Sequence, residues 1–157
     1  MKAIEKIMVA IDFSEYSRSA LIYAAQLARS LGAKILAVHV IHQRDLDAFR
    51  RALTGYGDEI LRNHIDSIEA DRTERLAELI RSTECEALVT QRSITVGVPW
   101  VALLEVIKVH QPDLLVLSTK GRSNLADTII GSCARKMYRR SPIPVLSLRP
   151  QNISAPG

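Results

Sequence analysis

Short apolar segments alternate along the whole chain with segments of helical periodicity, and this alternation strongly constrains the fold. The apolar segments are short and rich in branched residues, which is typical of strands buried in a parallel sheet. They are Ile4–Ile11, Lys34–Ile41, Ala87–Ser93, Leu114–Leu117 and Val145–Arg149. Strict alternation of this kind predicts an α/β domain with a five-stranded, mostly parallel sheet and helices on both faces.

The segments between the strands carry helix signals. Asp12 or Ser14 can cap the first helix, and Gly32 ends it as a glycine after a helix commonly does. Three further helices are predicted: a long one from Asp58, one over Pro99–His110, and one over Cys133–Arg140 with Ser132 as its N-cap. The long helix places its apolar side chains on one face: Ile60, Leu61, Ile65, Ile68, Leu76, Leu79 and Ile80. The segment 42–57 has helical spacing that its glycines interrupt, and either a loop or a short helix fits it.

Length and composition predict one domain. The chain has 157 residues, of which 47% are hydrophobic, enough for a sizeable core. We assign residues 1–150 to this domain and expect 151–157 to be a disordered tail. No segment approaches the roughly 20 apolar residues of a membrane helix, and the N-terminus does not resemble a signal peptide. Cys85 and Cys133 form no disulfide framework, and neither has histidines at metal-ligand spacing, so we expect a cytoplasmic protein with reduced thiols and no metal site.

The last quarter of the chain favours binding of an anion. A polar segment around Gly121 follows the fourth strand, and a helix begins near Ser132. A glycine lets the backbone approach a ligand closely and permits positive φ, and a helix N-terminus offers free N–H groups with partial positive charge. The span 118–150 holds seven basic residues against the single acid Asp127. Phosphate is the ligand that this combination suggests.

The same residues carry a resemblance to a known family. The spacing Ser118-x2-Gly121-x9-Gly131-Ser132 resembles the nucleotide loop G-x2-G-x9-G-[S/T] of the universal stress protein family. The run from Gly121 to Asn124 and the closing Pro-Ile-Pro-Val-Leu at 142–146 are similar too. One position departs from the motif, because Ser118 stands where the family has its first glycine.

The resemblance implies a Rossmann-like fold of the adenine nucleotide alpha hydrolase type, with strand order 3-2-1-4-5. Ligands of such sheets bind at the carboxyl ends of the strands, where the winding reverses. The resemblance also places Asp12 beside the adenine and ribose, and backbone atoms of Val40 at the adenine edge. The nucleotide-binding set that it implies is Ala10, Ile11, Asp12, Val40, Ser118, Lys120, Gly121, Arg122, Gly131, Ser132 and Cys133.

Several of these residues have simpler interpretations that the sequence leaves open. Asp12 fits a plain helix cap, Val40 fits core packing, and Lys120 and Arg122 fit solvated loop charges. Cys133 lies in the first helical turn, where a lowered pKa would make it a redox-active thiol, although cysteines in such positions are more often packed.

Motifs of several enzyme classes are missing. The sequence has no G-x4-G-K-[S/T], no G-x-G-x-x-G after its first strand, no G-x-S-x-G and no evident pair of catalytic carboxylates. We therefore expect a universal stress protein that binds ATP or a related adenine nucleotide as a regulatory ligand, with any Mg²⁺ carried by the nucleotide. Any hydrolysis would be slow and incidental.

The expected assembly is a homodimer formed through the edge strand Val145–Leu148, with room for an unidentified protein partner. Nucleic acid is not expected, because Tyr138 is the only aromatic residue among the C-terminal basic residues, and single-strand binders use several aromatics. No membrane association is expected either. The alternative is an interaction module of the same fold that has lost nucleotide binding. Ser118 favours that alternative, and Gly121 and Gly131 oppose it.

Overall fold

The computed structural model describes residues 1–121 and 130–150, which contain five strands and five helices. In chain order they are β1 (Lys6–Ile11), α1 (Glu15–Leu31), β2 (Lys34–His42), α2 (Gln43–Ala52), α3 (Asp58–Ser82), β3 (Val89–Gly97), α4 (Pro99–His110), β4 (Leu114–Ser118), α5 (Ser132–Arg140) and β5 (Val145–Leu148). Within these residues no helix is long and apolar enough to cross a membrane.

The five strands form one sheet in the order β3-β2-β1-β4-β5, and every neighbouring pair is parallel. The predicted α/β class and strand order are therefore confirmed. The chain winds from β1 outward to β3, then crosses back to β4 on the other side of β1. The carboxyl ends of β1 and β4 thus flank the point where the winding reverses, which is where ligands of such sheets bind.

Alternate residues of the strands point to opposite faces of the sheet and form two hydrophobic layers, one on each face. Ile7 and Val9 of β1 are fully buried against α1 and α3, whereas Met8 is fully buried against α4 and α5. Fully buried alanines at positions 20, 24 and 28 bring α1 close to the sheet. Helices therefore cover both faces, and the carboxyl edge of the sheet lies between the two layers.

The helix ends agree with the sequence signals at α1 and differ at α5. Ser14 is the N-cap of α1 and accepts a hydrogen bond from the backbone N–H of Ser17, and Gly32 ends the helix with φ of 68°. At α5 the N-cap is Gly131, not Ser132 as predicted, because Ser132 already has helical backbone angles.

Three elements differ from their predicted form. The undecided segment 42–57 contains helix α2, capped by the imidazole of His42. Strand β3 runs four residues further than predicted, to Gly97, because it stays in register with the long strand β2. In α3 only Leu76 and Ile80 of the expected apolar face are fully buried, and Ile60 is 48% exposed, because only the C-terminal half of the helix packs on the sheet.

Candidate functional site

Asp12 and Gly121 meet at the point of winding reversal. Asp12 follows the last residue of β1, and Gly121 lies three residues beyond the end of β4. A Cβ placed on Gly121 would lie 2.6 Å from Oδ2 of Asp12. Since φ of Gly121 is not positive, this glycine is needed for the close approach of the carboxylate and not for a left-handed backbone.

A tight turn holds the Asp12 carboxylate. Its Oδ1 accepts hydrogen bonds from the backbone N–H of Ser14 at 2.9 Å and from the Ser14 hydroxyl at 2.5 Å. This is an Asx-turn, in which a carboxylate bonds the backbone two residues ahead. Ser14, and not Asp12, caps α1, so the capping interpretation of Asp12 is wrong. The carboxylate instead orients Ser14 and directs its second oxygen toward Gly121.

The other side of the glycine loop is closed by Thr119 and Gly131. The backbone N–H of Gly131 donates to the Thr119 carbonyl at 2.6 Å, and a Cβ on Gly131 would lie 3.2 Å from that oxygen. Thr119 is 3% exposed, and its own N–H donates to the carbonyl of Leu148 in β5 at 2.9 Å. No side chain among the described residues caps α5, so the N-terminus of this helix is suited to an anion.

Ser118 is involved in hydrogen bonds inside the loop. Its hydroxyl accepts a hydrogen bond from the backbone N–H of Lys120 at 3.3 Å and lies 3.5 Å from the carbonyl of Leu148, to which it donates. Ser118 does not have a positive φ, so the serine adds no left-handed strain.

The remaining members of the expected set line the same edge at different depths. Ile11 is 3% exposed and Ala10 is half-buried. Val40 lies one residue beyond His39, the last β2 residue paired with β1, and its side chain packs partly into the core layer under α4. Lys120 is half-buried and Ser132 is exposed. Arg122 lies outside the described residues.

Cys133 does not have the low pKa that a redox-active thiol needs. Burial raises the pKa of the Cys133 thiol to about 11, the negative charge of Asp12 adds to the effect, and Lys136 opposes it. The thiol packs against the core layer under α4 and α5. The hypothesis of an activated thiol is therefore wrong, and the packed interpretation fits.

Two of the basic residues of α5 lie over the ring of Trp100 on α4. Lys136 Nζ and the guanidinium carbon of Arg140 each lie 4.8 Å from the centre of the Trp100 ring on α4. Among the residues that the structure describes, no cluster of His, Cys, Asp or Glu is able to hold a metal ion.

Sequence reasoning missed three residues that shape this site: Phe13, His39 and Thr119. Thr119 acts through its backbone, which no side-chain pattern signals. His39 lies in an apolar strand and fits ordinary core packing. Phe13 has φ of 64°, a left-handed conformation that is rare for phenylalanine and that the sequence does not predict.

The sequence matches a known family over nearly its whole length. Residues 3–149 match the sequence profile of the universal stress protein family. One relative is universal stress protein MJ0577 of Methanocaldococcus jannaschii, 23% identical over an alignment that covers 94% of this chain and 96% of the relative.

Solved structures show the same fold. The structure of MJ0577 superposes with a TM-score of 0.81 at 19% identity, covering 96% of this chain and 99% of that one. A universal stress protein from Archaeoglobus fulgidus in complex with dAMP has a TM-score of 0.54 at 21% identity, with 93% and 98% of the two chains covered. A universal stress protein in complex with cAMP gives a TM-score of 0.58 at 23% identity, with coverage of 94% and 98%. At these identities the superpositions establish the fold alone.

Proposed function

The chain belongs to the universal stress protein family, and we propose that it binds ATP or a related adenine nucleotide as a regulatory ligand. The base and ribose would lie between Asp12 and the backbone of Val40, and the phosphates would lie on the loop from Ser118 through Gly121 to the N-terminus of α5. Any Mg²⁺ would arrive with the nucleotide. We propose a cytoplasmic, dimeric protein that acts through a protein partner, without rapid hydrolysis.

The contact between Asp12 and Gly121 carries this proposal. These two residues are distant in sequence, yet a Cβ on the glycine would meet the carboxylate oxygen at 2.6 Å. A hydrogen-bonding carboxylate beside a helix N-terminus that no described side chain caps gives a site with an acceptor for sugar hydroxyls at one end and backbone donors for phosphate at the other. The dAMP and cAMP complexes of similar proteins support an adenine nucleotide as the ligand.

A second candidate function is an interaction module that no longer binds nucleotide. It is favoured by Ser118, whose hydroxyl occupies the loop where the family motif has a bare glycine and bonds Lys120 N–H. That N–H is then unavailable to a phosphate.

Two N-cap glycines provide a matched test. Gly131 and Gly57 have nearly the same backbone angles, φ −64° and ψ 157° against φ −53° and ψ 161°, and neither helix has a side-chain cap. A Cβ on Gly131 meets the Thr119 carbonyl at 3.2 Å, whereas a Cβ on Gly57 meets nothing within 4 Å. We expect Gly131→Val to abolish ATP binding and Gly57→Val to preserve it.

The measurement is the thermal shift produced by ATP and magnesium. Ligand at about 100 times Kd adds roughly 2.7 kcal/mol to the free energy of unfolding, which raises Tm by about 5–10 °C in a chain of this size. Wild type and Gly57→Val should show the shift and Gly131→Val should not. Equal shifts in all three proteins would exclude the α5 N-terminus as the phosphate site, and no shift in any of them would favour the interaction module.

A further inference from the structure

We infer that Phe13, held in place by His39 and Arg75, is a positioning residue that directs the Asp12 carboxylate into the nucleotide site. The inference rests on the proposed function, since it concerns how that site is shaped. Phe13 itself need not touch the ligand.

The backbone of Phe13 is the first observation. Its φ is 64°, a left-handed conformation in which a bulky side chain is an outlier. The two other non-glycine residues with positive φ in the described part of the chain, Glu84 and Gln111, lie within two residues of a helix C-terminus, where a left-handed residue commonly ends the helix. Phe13 follows a strand, so helix termination does not account for it. Strained residues of this kind persist where the surrounding contacts fix them, and they cluster at functional sites.

Two side chains fix the Phe13 ring. The ring of His39 on β2 lies against it, with centroids 4.4 Å apart, and the guanidinium carbon of Arg75 on α3 lies 4.4 Å from its centre. His39 is 2% exposed, and its Nδ1 lies 2.8 Å from the carbonyl oxygen of Ile11. A carbonyl only accepts hydrogen bonds, so Nδ1 carries the proton and donates it. His39 thus contacts both neighbours of Asp12: it donates to the Ile11 carbonyl and packs on the Phe13 ring.

The left-handed turn at Phe13 determines where the carboxylate points. It folds the chain back so that the Ser14 N–H reaches Oδ1 of Asp12 at 2.9 Å. Oδ2 is then directed toward Gly121. If Phe13 relaxed to an extended backbone, the Asx-turn would open and the carboxylate would lose this orientation.

The experiment compares two variants of Phe13. Phe13→Val removes the ring and, as a β-branched residue, disfavours the left-handed conformation, whereas Phe13→Tyr keeps the ring. Calorimetric titration of folded protein, well below Tm, should show that Phe13→Val weakens binding of both ATP and adenosine by about tenfold. Phe13→Tyr should stay within about twofold of wild type.

Adenosine distinguishes positioning from direct contact. Because Asp12 faces the nucleoside in the proposed site, losing its orientation should weaken ATP and adenosine by the same factor. Arg75→Gln should likewise weaken both ligands equally, whereas an arginine that contacted phosphate directly would affect ATP alone. A loss confined to ATP would therefore overturn the role of Arg75.

Gln111→Gly serves as the matched control, because it relieves left-handed strain at the amino ends of the strands, far from the proposed site at their carboxyl ends. It should raise Tm and leave both affinities unchanged. If wild type binds ATP and Phe13→Val binds it equally well, Phe13 is merely structural and the inference is overturned while the proposed function stands. If wild type binds neither ligand, both are overturned.

Discussion

At the scale of single residues, Ser118 is the one departure from the family's loop motif, and its hydroxyl turns toward backbone groups of the loop and of β5. It accepts from the Lys120 N–H at 3.3 Å. Because Ser118 has no positive φ, a serine fits this backbone as well as a glycine does. The serine therefore adds a hydrogen bond inside the loop and occupies one backbone N–H that would otherwise be open to a phosphate.

We expect Ser118→Gly to change ATP affinity by less than about tenfold, equivalent to 1.4 kcal/mol, because the rest of the loop is unchanged. It should also lower the free energy of unfolding by about 1–2 kcal/mol, through the lost hydrogen bond and the greater freedom of glycine in the unfolded chain. Calorimetric titration and thermal unfolding measure the two effects.

Ser118→Ala is the control for that substitution, since it removes the hydroxyl and keeps Cβ. Its stability should fall between those of wild type and Ser118→Gly. If wild type binds no ATP and glycine restores binding, the serine has disabled the site and the interaction module is the better description of the protein.

At the scale of elements, the amino ends of β1 and β4 are joined by the carboxylate of Asp113. It accepts from the backbone N–H groups of Glu5 at 3.0 Å and Lys6 at 2.9 Å, and it pairs with Lys2 at 2.7 Å. Lys2 and these N–H groups hold the pKa of the Asp113 carboxyl below its ordinary value of 3.8, against the opposing effect of burial. The side chain of Asp113 is 9% exposed and that of Lys2 is 79% exposed, so solvent screens the ion pair and the backbone N–H groups are the more important partners.

Asp113→Asn should therefore cost about 1–3 kcal/mol at neutral pH, because the two N–H groups lose a charged acceptor. A carboxyl whose pKa is lowered on folding stabilises the native state above its unfolded pKa, and this contribution disappears as pH falls through the folded value. The difference between wild type and variant should thus be complete above about pH 4 and vanish in more acidic solution.

Urea unfolding at several pH values measures this difference. Asp71→Asn is the control, because Asp71 also pairs with a neighbouring arginine but is 57% exposed. It should change stability by less than about 0.5 kcal/mol. A stability gap at Asp113 that is the same at pH 3 and pH 7 would show that its charge is not what joins the strands.

Elements were predictable from sequence where one local pattern decided them. The alternation of apolar segments gave all five strands, and Gly32 gave the end of α1. Helix α2 stayed undecided because Gly55 and Gly57 lie just beyond it. The end of β3 depends on its partner strand and not on its own residues, since His42 of β2 pairs with Gly97.

The candidate site was predictable only where side-chain type and spacing mark it. Gly121 and Gly131 follow from the loop motif and Asp12 from the wider resemblance to the family, and the fold brings Asp12 and Gly121 together. The turn at Phe13 was not predictable, because a phenylalanine after a strand ordinarily has extended backbone. For Cys133 the sequence left a packed thiol and an activated thiol open, and burial, which raises its pKa to about 11, favours the packed one.

At the scale of the whole molecule, the sheet has two open edges, β3 and β5. Strand β3 carries the exposed charge of Arg92 in its middle, and charges on an edge oppose pairing with another chain. Strand β5 carries no charge, and its four residues are all half-buried. We therefore propose β5 as the dimer contact, with two copies pairing antiparallel about a twofold axis.

The register of β5 identifies which residues face the partner. The carbonyls of Pro144 and Leu148 accept from N–H groups of Leu115 and Thr119, so their backbone groups point inward. Backbone groups alternate in direction along a strand, so those of Leu146 also point toward β4. The backbone groups of Val145 and Ser147 point away from β4, toward the open edge. Leu146→Pro would damage the pairing with β4, whereas a proline at position 147 removes only an outward donor.

Ser147→Pro should therefore give a folded monomer from a wild-type dimer, because proline has no backbone N–H to donate across the twofold axis. Ser147→Ala, which alters the side chain and keeps the donor, should remain dimeric. Light scattering coupled to size exclusion, at tens of micromolar protein, measures the mass of each. The pairing through β5 is contradicted by a wild-type monomer, and equally by a Ser147→Pro variant that stays dimeric. If Ser147→Pro is monomeric and still shows the thermal shift with ATP, nucleotide binding belongs to the single chain and the dimer is a separate property.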